Sequence, residues 1–119
     1  MNAITSLILD DELVAEIRRI EQASGRQGIF AGCVSKLEAN LAEFRAALAA
    51  CVARGDALGA VRAAHTLKGS CRQLGAAALG DHFADIERCV KEGNYEQAER
   101  AFDGGAGLIS DSLDALKRA

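Results

Sequence analysis

Apolar residues recur along this chain every three or four positions with polar residues between them, which is the spacing of one face of an α-helix. The pattern predicts a short leading helix over about residues 9–23 and a long helix over 29–53. It predicts further helices over 57–74 and 77–92, and a last one from residue 95 to about 117. Helices therefore account for nearly all of the predicted structure.

The apolar faces of the first two helices can be written out position by position. In the leading helix the apolar stripe consists of Leu13, Val14, Ile17 and Ile20. In the long helix the apolar face consists of Phe30, Cys33, Val34, Leu37, Leu41, Phe44, Leu48, Cys51 and Val52. Both stripes predict burial against neighbouring helices.

Short turns connect these segments, and their residue types suit helix ends. Gly55 fits the position after the long helix, and Asp56 can cap the helix that follows. Gly104-Gly105 interrupts the last helix and predicts a kink or break there. Because short links place neighbouring helices antiparallel, we expect an all-α fold. Its predicted architecture is an up-down antiparallel four-helix bundle over about 29–117, with a short additional N-terminal helix.

Composition agrees with this architecture and narrows the class of protein. The 119 residues predict one domain, 1–119, with no proline and no tryptophan, which favours close-packed helices. The net charge is −3 and no basic run occurs, so we expect no nucleic-acid partner. The segment 4–9 is too short for a membrane span and lacks a basic flank, so we expect a cytoplasmic protein without membrane association.

Four cysteines, Cys33, Cys51, Cys71 and Cys89, lie 18, 20 and 18 residues apart. They form no Cys-x-x-Cys or Cys/His pair with the spacing of a metal site, so we expect no bound metal. We interpret all four as reduced core residues of helices. The even spacing suggests a repeat, but the residues around the cysteines do not resemble one another.

The third helix carries an unusual group of polar and small residues. One side of it is an apolar stripe of Ala60, Ala63, Ala64, Leu67, Cys71 and Leu74. At about 100° per residue, His65 points to the opposite, solvent side. The residues predicted around it are Leu58, Val61, Arg62, Lys68, Gly69 and Arg72.

These residues have both an ordinary and a chemical interpretation. A histidine among lysines and arginines on a helix surface is usually solvated, and single exposed aliphatic residues are common. Gly69 is harder to explain, because glycine inside a helix costs about 1 kcal/mol relative to alanine. A neutral imidazole can accept a phosphoryl group, and Lys68 can balance its charge. From the residues alone both interpretations stay open.

The segment His65-Thr66-Leu67-Lys68-Gly69, followed by Leu74-Gly75, resembles the signature of histidine-containing phosphotransfer (HPt) domains of multistep phosphorelays. The pattern is His-x-Leu-Lys-Gly, a spacer and Leu-Gly. Weaker similarities extend over about residues 9–117. They comprise the long helix from Phe30 to Ala53, the Gly55-Asp56 turn, Ile86-Glu87 on the following helix and the Gly93-Asn94 turn.

The resemblance implies that the chain is a phosphorelay intermediate. His65 would accept a phosphoryl group from a phosphoaspartate on a receiver domain, through a nitrogen that we expect to be Nε2, and pass it to another receiver aspartate. Lys68 would steady the phosphoryl oxygens and Gly69 would give the partner clearance. Glu87 occupies a family position that can hold the imidazole by its other nitrogen, and a solvated acid is the alternative.

Further residues are assigned to the edge of the site or to docking. Arg62 and Arg72 can each contact the phosphoryl group or steer an acidic receiver pocket, and either can simply be solvated. Gln73 lies at the edge of the same face. Leu58, Val61 and Arg62 predict a receiver-docking patch, because apolar residues beside a reactive group suggest a contact surface.

The chain has no P-loop and no kinase-type glycine-rich motif, so we expect no autokinase activity and no cofactor bound by this chain. The resemblance places Mg²⁺ in the partner receiver domain. The expected partners are response-regulator receiver domains, with a hybrid histidine kinase as a further candidate, and we expect a monomer. A start at methionine and an end in a predicted helix favour a free-standing protein.

Two other functions compete with this interpretation. An HPt-like module could dock a response regulator and regulate it without taking the phosphoryl group, although such a module need not keep His65 and Lys68. A metal- or haem-binding bundle needs inward ligands such as Glu-x-x-His, which the sequence lacks. His82, the other histidine, has no lysine-glycine accompaniment and is interpreted as an ordinary surface or boundary residue.

Overall fold

A computed structural model describes residues 8–119 of the chain, and most of the segment 4–9 discussed above lies outside that range. Six helices lie wholly within the described residues, which contain no strand. They are α1 Asp11–Ser24, α2 Ile29–Ala53, α3 Ala57–Gln73, α4 Ala77–Lys91, α5 Tyr95–Gly104 and α6 Ala106–Arg118. The predicted all-α class is therefore confirmed, and the fold is a helical bundle. None of these six helices is both long enough and apolar enough to cross a membrane.

The helices pack mainly against their neighbours in the chain. α3 and α4 share the most extensive contact, followed by α2 with α3 and α4 with α5, while α6 contacts both α2 and α4. Three phenylalanine rings lie together in the core: the centroids of Phe44 and Phe83 are 5.3 Å apart, and those of Phe44 and Phe102 are 5.0 Å apart. These rings join α2, α4 and α5 around one apolar centre.

Three of the cysteines share a position at the ends of their helices. The carbonyls of Cys51, Cys71 and Cys89 each accept a 2.8 Å hydrogen bond from the amide five residues later. This bond closes a Schellman turn, in which the glycine after the helix adopts a left-handed backbone. All three residues are buried, and burial raises the pKa of the Cys71 thiol to about 12. Their even spacing thus reflects helix-turn units of similar length.

Three residues predicted to be buried lie at the surface instead. Ile20 is 59% exposed and Val52 is 37% exposed, because each lies in the last turns of a helix that no other helix of residues 8–119 covers there. Cys33 is also exposed and lines an open groove between α1, α2 and α3, so the interpretation of all four cysteines as core residues is wrong for this one. Helical periodicity predicts a face but does not show how far a neighbouring helix extends along it.

The predicted interruption of the last helix is present and divides it into α5 and α6. Gly105 is buried at the junction, where an added Cβ would lie 2.5 Å from Nε2 of His82. The same Nε2 donates a 2.8 Å hydrogen bond to the carbonyl of Ala101. His82 is therefore half-buried and fastens α4 to the junction.

The leading helix is attached to the bundle through the turn between α3 and α4. The amide of Asp10 donates a 2.8 Å hydrogen bond to the carbonyl of Gly75, and the Asp10 side chain caps α1 by accepting from the amide of Leu13. Gly75 has φ +87°, and an added Cβ would lie 2.6 Å from Cγ2 of Val14. This close approach leaves no room for a side chain.

We therefore predict that Gly75→Ala destabilises the protein more than Gly93→Ala. Both glycines have a left-handed backbone, which costs a non-glycine residue about 1–2 kcal/mol. Only at Gly75 does the added Cβ also collide with α1, since nothing lies within 4 Å of it at Gly93. Urea unfolding followed by circular dichroism measures both, and equal losses would show that α1 does not press on this turn.

Candidate functional site

α3 holds His65 away from the core by burying the opposite side of the helix. Asp56 caps α3 by accepting a 2.8 Å hydrogen bond from the amide of Gly59, which lowers the pKa of Asp56. The side chain of His65 is 65% exposed. The residues that α3 buries are four of the six in the predicted apolar stripe, Ala60, Ala64, Leu67 and Cys71, while Ala63 and Leu74 are half-buried against the core.

The carboxylate of Glu87, on α4, meets the imidazole of His65 across the contact between the two helices. Nδ1 of His65 lies 2.9 Å from Oε2 of Glu87, whose side chain is only 5% exposed. Ile86 and Val90 are buried on either side of Glu87 along α4 and fix the direction in which this helix presents it. The solvated alternative for Glu87 is therefore wrong.

Two lysines also bind the carboxylate of Glu87. Nζ of Lys68 lies 2.6 Å from Oε1, and Nζ of Lys91 lies 3.4 Å from Oε2. Lys68 is largely covered, with 20% of its side chain exposed, whereas Lys91 is 60% exposed. Sequence reasoning missed Lys91, although its place four residues after Glu87 puts both side chains on one face of α4.

These contacts decide which nitrogen of His65 carries a proton. Burial has the largest single effect on the pKa of Glu87, and it raises this pKa. The hydrogen bonds from Lys68 and His65 act in the opposite direction, as do the charges of Lys68 and Lys91. Together they outweigh burial and lower the pKa of Glu87 to about 2. Glu87 is therefore ionised at neutral pH and can only accept hydrogen bonds. Nδ1 consequently keeps its proton and donates a hydrogen bond to Glu87, and the neutral ring has its lone pair on Nε2.

Gly69 lies one turn after His65 and leaves open space beside the imidazole. Nothing lies within 4 Å of the position that a Cβ at Gly69 would take. Gly80, in contrast, makes room within the molecule, since a Cβ there would lie 2.8 Å from Cγ of Arg72. Residues 8–119 leave the space at Gly69 open, so it is available to a partner.

Arg72 and Gln73 do not contact His65 in the structure. Arg72 lies across Gly80 and pairs with Asp81, with Nη2 3.3 Å from Oδ1. The Gln73 side chain is exposed and lines the groove between α1, α2 and α3. Their place at the edge of the face that carries the imidazole stays a prediction.

The predicted docking residues differ in their exposure. Leu58 is 59% exposed, and Arg62 is also exposed. Val61, which the sequence placed on the solvent face, is instead half-buried and packs against the core. Val61 lies on the same flank of α3 as Lys68, which reaches Glu87 of α4, so this flank is partly covered. The exposed apolar surface beside His65 is therefore smaller than predicted.

Among residues 8–119 no group of three or more histidine, cysteine or acidic side chains is arranged to hold a metal ion. The site thus consists of an exposed imidazole, a buried carboxylate and two lysines. It offers an oriented nitrogen nucleophile with positive charge beside it. This arrangement suits the acceptance of an anionic group.

Comparison with known proteins agrees with this chemistry. A family model, the Hpt domain, matches residues 28–119. The chain therefore belongs to the Hpt domain family, whose members carry phosphoryl groups on histidine in two-component phosphorelays and interact with receiver domains. Neither the curated proteins nor the solved structures gave a match to the chain.

We predict that Glu87→Gln lowers the stability of the protein at neutral pH but not in acid. The pKa of Glu87 is about 2 when folded and 4.5 ordinarily, so its ionic contribution is present above about pH 4.5 and is lost as the pH falls towards 2. The variant should unfold about 1–3 kcal/mol more easily at pH 7, and the difference should shrink below pH 4.5.

Urea unfolding at several pH values measures this difference. Glu43→Gln is the matched control, since Glu43 is exposed on α2. A difference between Glu87→Gln and the wild type that stays constant from pH 7 to pH 3 would contradict the ionic role of Glu87.

Proposed function

We propose that His65 is the phosphorylated residue and that its Nε2 atom exchanges the phosphoryl group with receiver aspartates. The observation that carries the proposal is the contact of 2.9 Å between Nδ1 and the buried carboxylate of Glu87. It leaves the lone pair of a neutral imidazole on Nε2, in a side chain that is 65% exposed. An aspartyl phosphate on another protein can approach this atom in line.

Lys68 and Gly69 would support the transfer in different ways. One N–H of Lys68 points to Glu87 at 2.6 Å, and its other donors are available for phosphoryl oxygens. Gly69 would let the receiver backbone approach the imidazole. Lys91 is a further cation within reach of the same region, and Arg72 would join it only by leaving Asp81, which is a weak surface pair.

The chemistry would be divided between two proteins. This chain supplies the nucleophile, a buried carboxylate and cations, whereas the receiver would supply the aspartate and the Mg²⁺ that neutralises the phosphoryl oxygens. We propose that this chain binds no cofactor and has no autokinase activity. It would then act as a carrier between receivers, and a hybrid histidine kinase is one source of such a receiver.

The helices would present the site as one unit. We infer that α2, α3, α4 and the α5–α6 pair form an up-down four-helix bundle with α1 as an addition, supported by short turns and by the packing of consecutive helices. The whole chain would form one domain. A monomer suffices, because one imidazole makes the site, and we place the exchange in the cytoplasm, where Hpt domains typically act.

A docking module that never takes the phosphoryl group is the second candidate. The exposed Leu58 and Arg62 favour binding in either case. An oriented imidazole over a buried carboxylate has no purpose in docking alone. Transfer of the phosphoryl group to His65 separates the two functions.

We predict that labelled phospho-receivers transfer their phosphoryl group to the wild type and to His82→Gln but not to His65→Gln. A glutamine at position 82 has a side-chain amide that can donate a hydrogen bond to the carbonyl of Ala101, as His82 does, so this control preserves the fold. The label on the wild type should be stable in base and labile in acid, as expected of phosphohistidine. Binding of receivers without any label would instead support the docking module.

We also predict that Gly69→Ala slows transfer about tenfold or more while Gly32→Ala does not. Both glycines lie within helices with nothing within 4 Å of an added Cβ, so either alanine should raise helix stability by up to about 1 kcal/mol. Only Gly69 lies beside the imidazole that a receiver would approach. Stopped-flow or gel-based transfer rates test this, and equal rates in the two variants would remove the clearance role.

A further inference from the structure

The group that faces Nδ1 of His65 is a carboxylate with both of its oxygens engaged. Oε1 of Glu87 binds Lys68 at 2.6 Å, while Oε2 binds His65 at 2.9 Å and Lys91 at 3.4 Å. The side chain is 5% exposed, so water has little access to it. Glu87 therefore cannot easily turn away from the imidazole when the charge on the ring changes.

The transfer reaction changes that charge. In the proposed reaction the lone pair of Nε2 forms a bond to phosphorus, and the bond from phosphorus to the aspartyl oxygen breaks with its electrons going to that oxygen. The ring then carries a phosphoryl group on Nε2 and a proton on Nδ1, and is a cation. In the reverse step the electrons of the N–P bond return to Nε2, and a neutral imidazole leaves. No other proton donor is needed in either direction.

A phosphorylated ring that lost its Nδ1 proton to solvent would behave differently. Cleavage of the N–P bond would then have to expel an imidazolide anion, or wait for a proton from water. A carboxylate on Nδ1 opposes this loss, because it can only accept a hydrogen bond and would repel a bare nitrogen lone pair. An amide in the same place could turn and donate to the bare nitrogen, so it would not enforce the proton.

We propose that Glu87 keeps the Nδ1 proton on the phosphorylated ring at neutral pH, so that the phosphoryl group is stored in a form that can leave directly. The inference rests on the proposed phosphorylation of His65. The other charged groups facing the ring are Lys68 from α3 and Lys91 from α4, and both bind the carboxylate. They disfavour a cationic ring, whereas the bound phosphoryl anion favours it.

The test loads the protein with phosphoramidate, a small phosphoryl donor that needs no receiver, and follows loss of the group to water between pH 6.5 and 8.5. The wild-type rate should change less than about twofold over this range, because the ring is already protonated. The rate of Glu87→Gln should fall about tenfold or more as the pH rises. Nitrogen-15 NMR of the imidazole should show Nδ1 protonated at pH 8 in the wild type alone.

Two further variants separate charge from structure. Glu87→Asp keeps the charge on a shorter side chain and should retain the flat profile, although its absolute rate will differ. Lys91→Gln removes a positive charge that binds the carboxylate of Glu87 but leaves the carboxylate itself in place. The pH profile of this variant should therefore also stay flat. Parallel pH profiles for the wild type and Glu87→Gln, or an unprotonated Nδ1 in the wild-type phosphoprotein, would overturn the inference.

The measurements distinguish a failure of this inference from a failure of the proposed relay role. A wild type that keeps the Nδ1 proton after chemical loading but takes no label from receivers would leave this inference standing and overturn the relay role. Transfer from receivers with the same pH profile in the wild type and in Glu87→Gln would support the relay role and overturn this inference alone.

Discussion

A carboxylate removed from water is the constraint on which the site depends. Burying a charge costs several kcal/mol unless it is paired and hydrogen-bonded, and Glu87 meets both conditions through His65, Lys68 and Lys91. Two of these partners come from α3 and one from α4. The hydrogen bonds and ion pairs of Glu87 therefore connect α3 and α4, the two helices that contact each other most extensively. The same contacts orient the imidazole of His65.

The small residues along α3 and α4 make this joint possible. Ala60 and Ala64 are fully buried on α3, and Gly80 on α4 leaves space that the stem of Arg72 fills. A Cβ added at Gly80 would lie 2.8 Å from Cγ of Arg72, so a larger side chain there would displace this stem. The core beneath the site is thus built so that a histidine on one helix and a glutamate on the next can touch.

Local patterns in the sequence predicted more of the fold than of the site. The bounds of α2 agree with the prediction, since periodicity and turn residues are encoded locally. The exposure of Ile20 and Cys33 depends on where neighbouring helices stop, which no local pattern records. The contact of Glu87 with His65 joins residues 22 positions apart and depends on how α3 and α4 pack. Helical spacing from Glu87 could have found Lys91, once Glu87 itself was placed.

Exposure of the imidazole has a chemical consequence of its own. His65 is 65% exposed, and the one hydrogen bond of its ring within the described residues is to Glu87, so water would have access to a phosphoryl group on Nε2. A carrier of this shape cannot protect the group by enclosing it. In the proposed transfer, selectivity for an aspartate over water would then come from the receiver, which would supply the Mg²⁺ and a positioned carboxylate. On the inference above, this chain would add control over the protonation of the leaving imidazole, and that control would lie with Glu87, whose side chain is only 5% exposed.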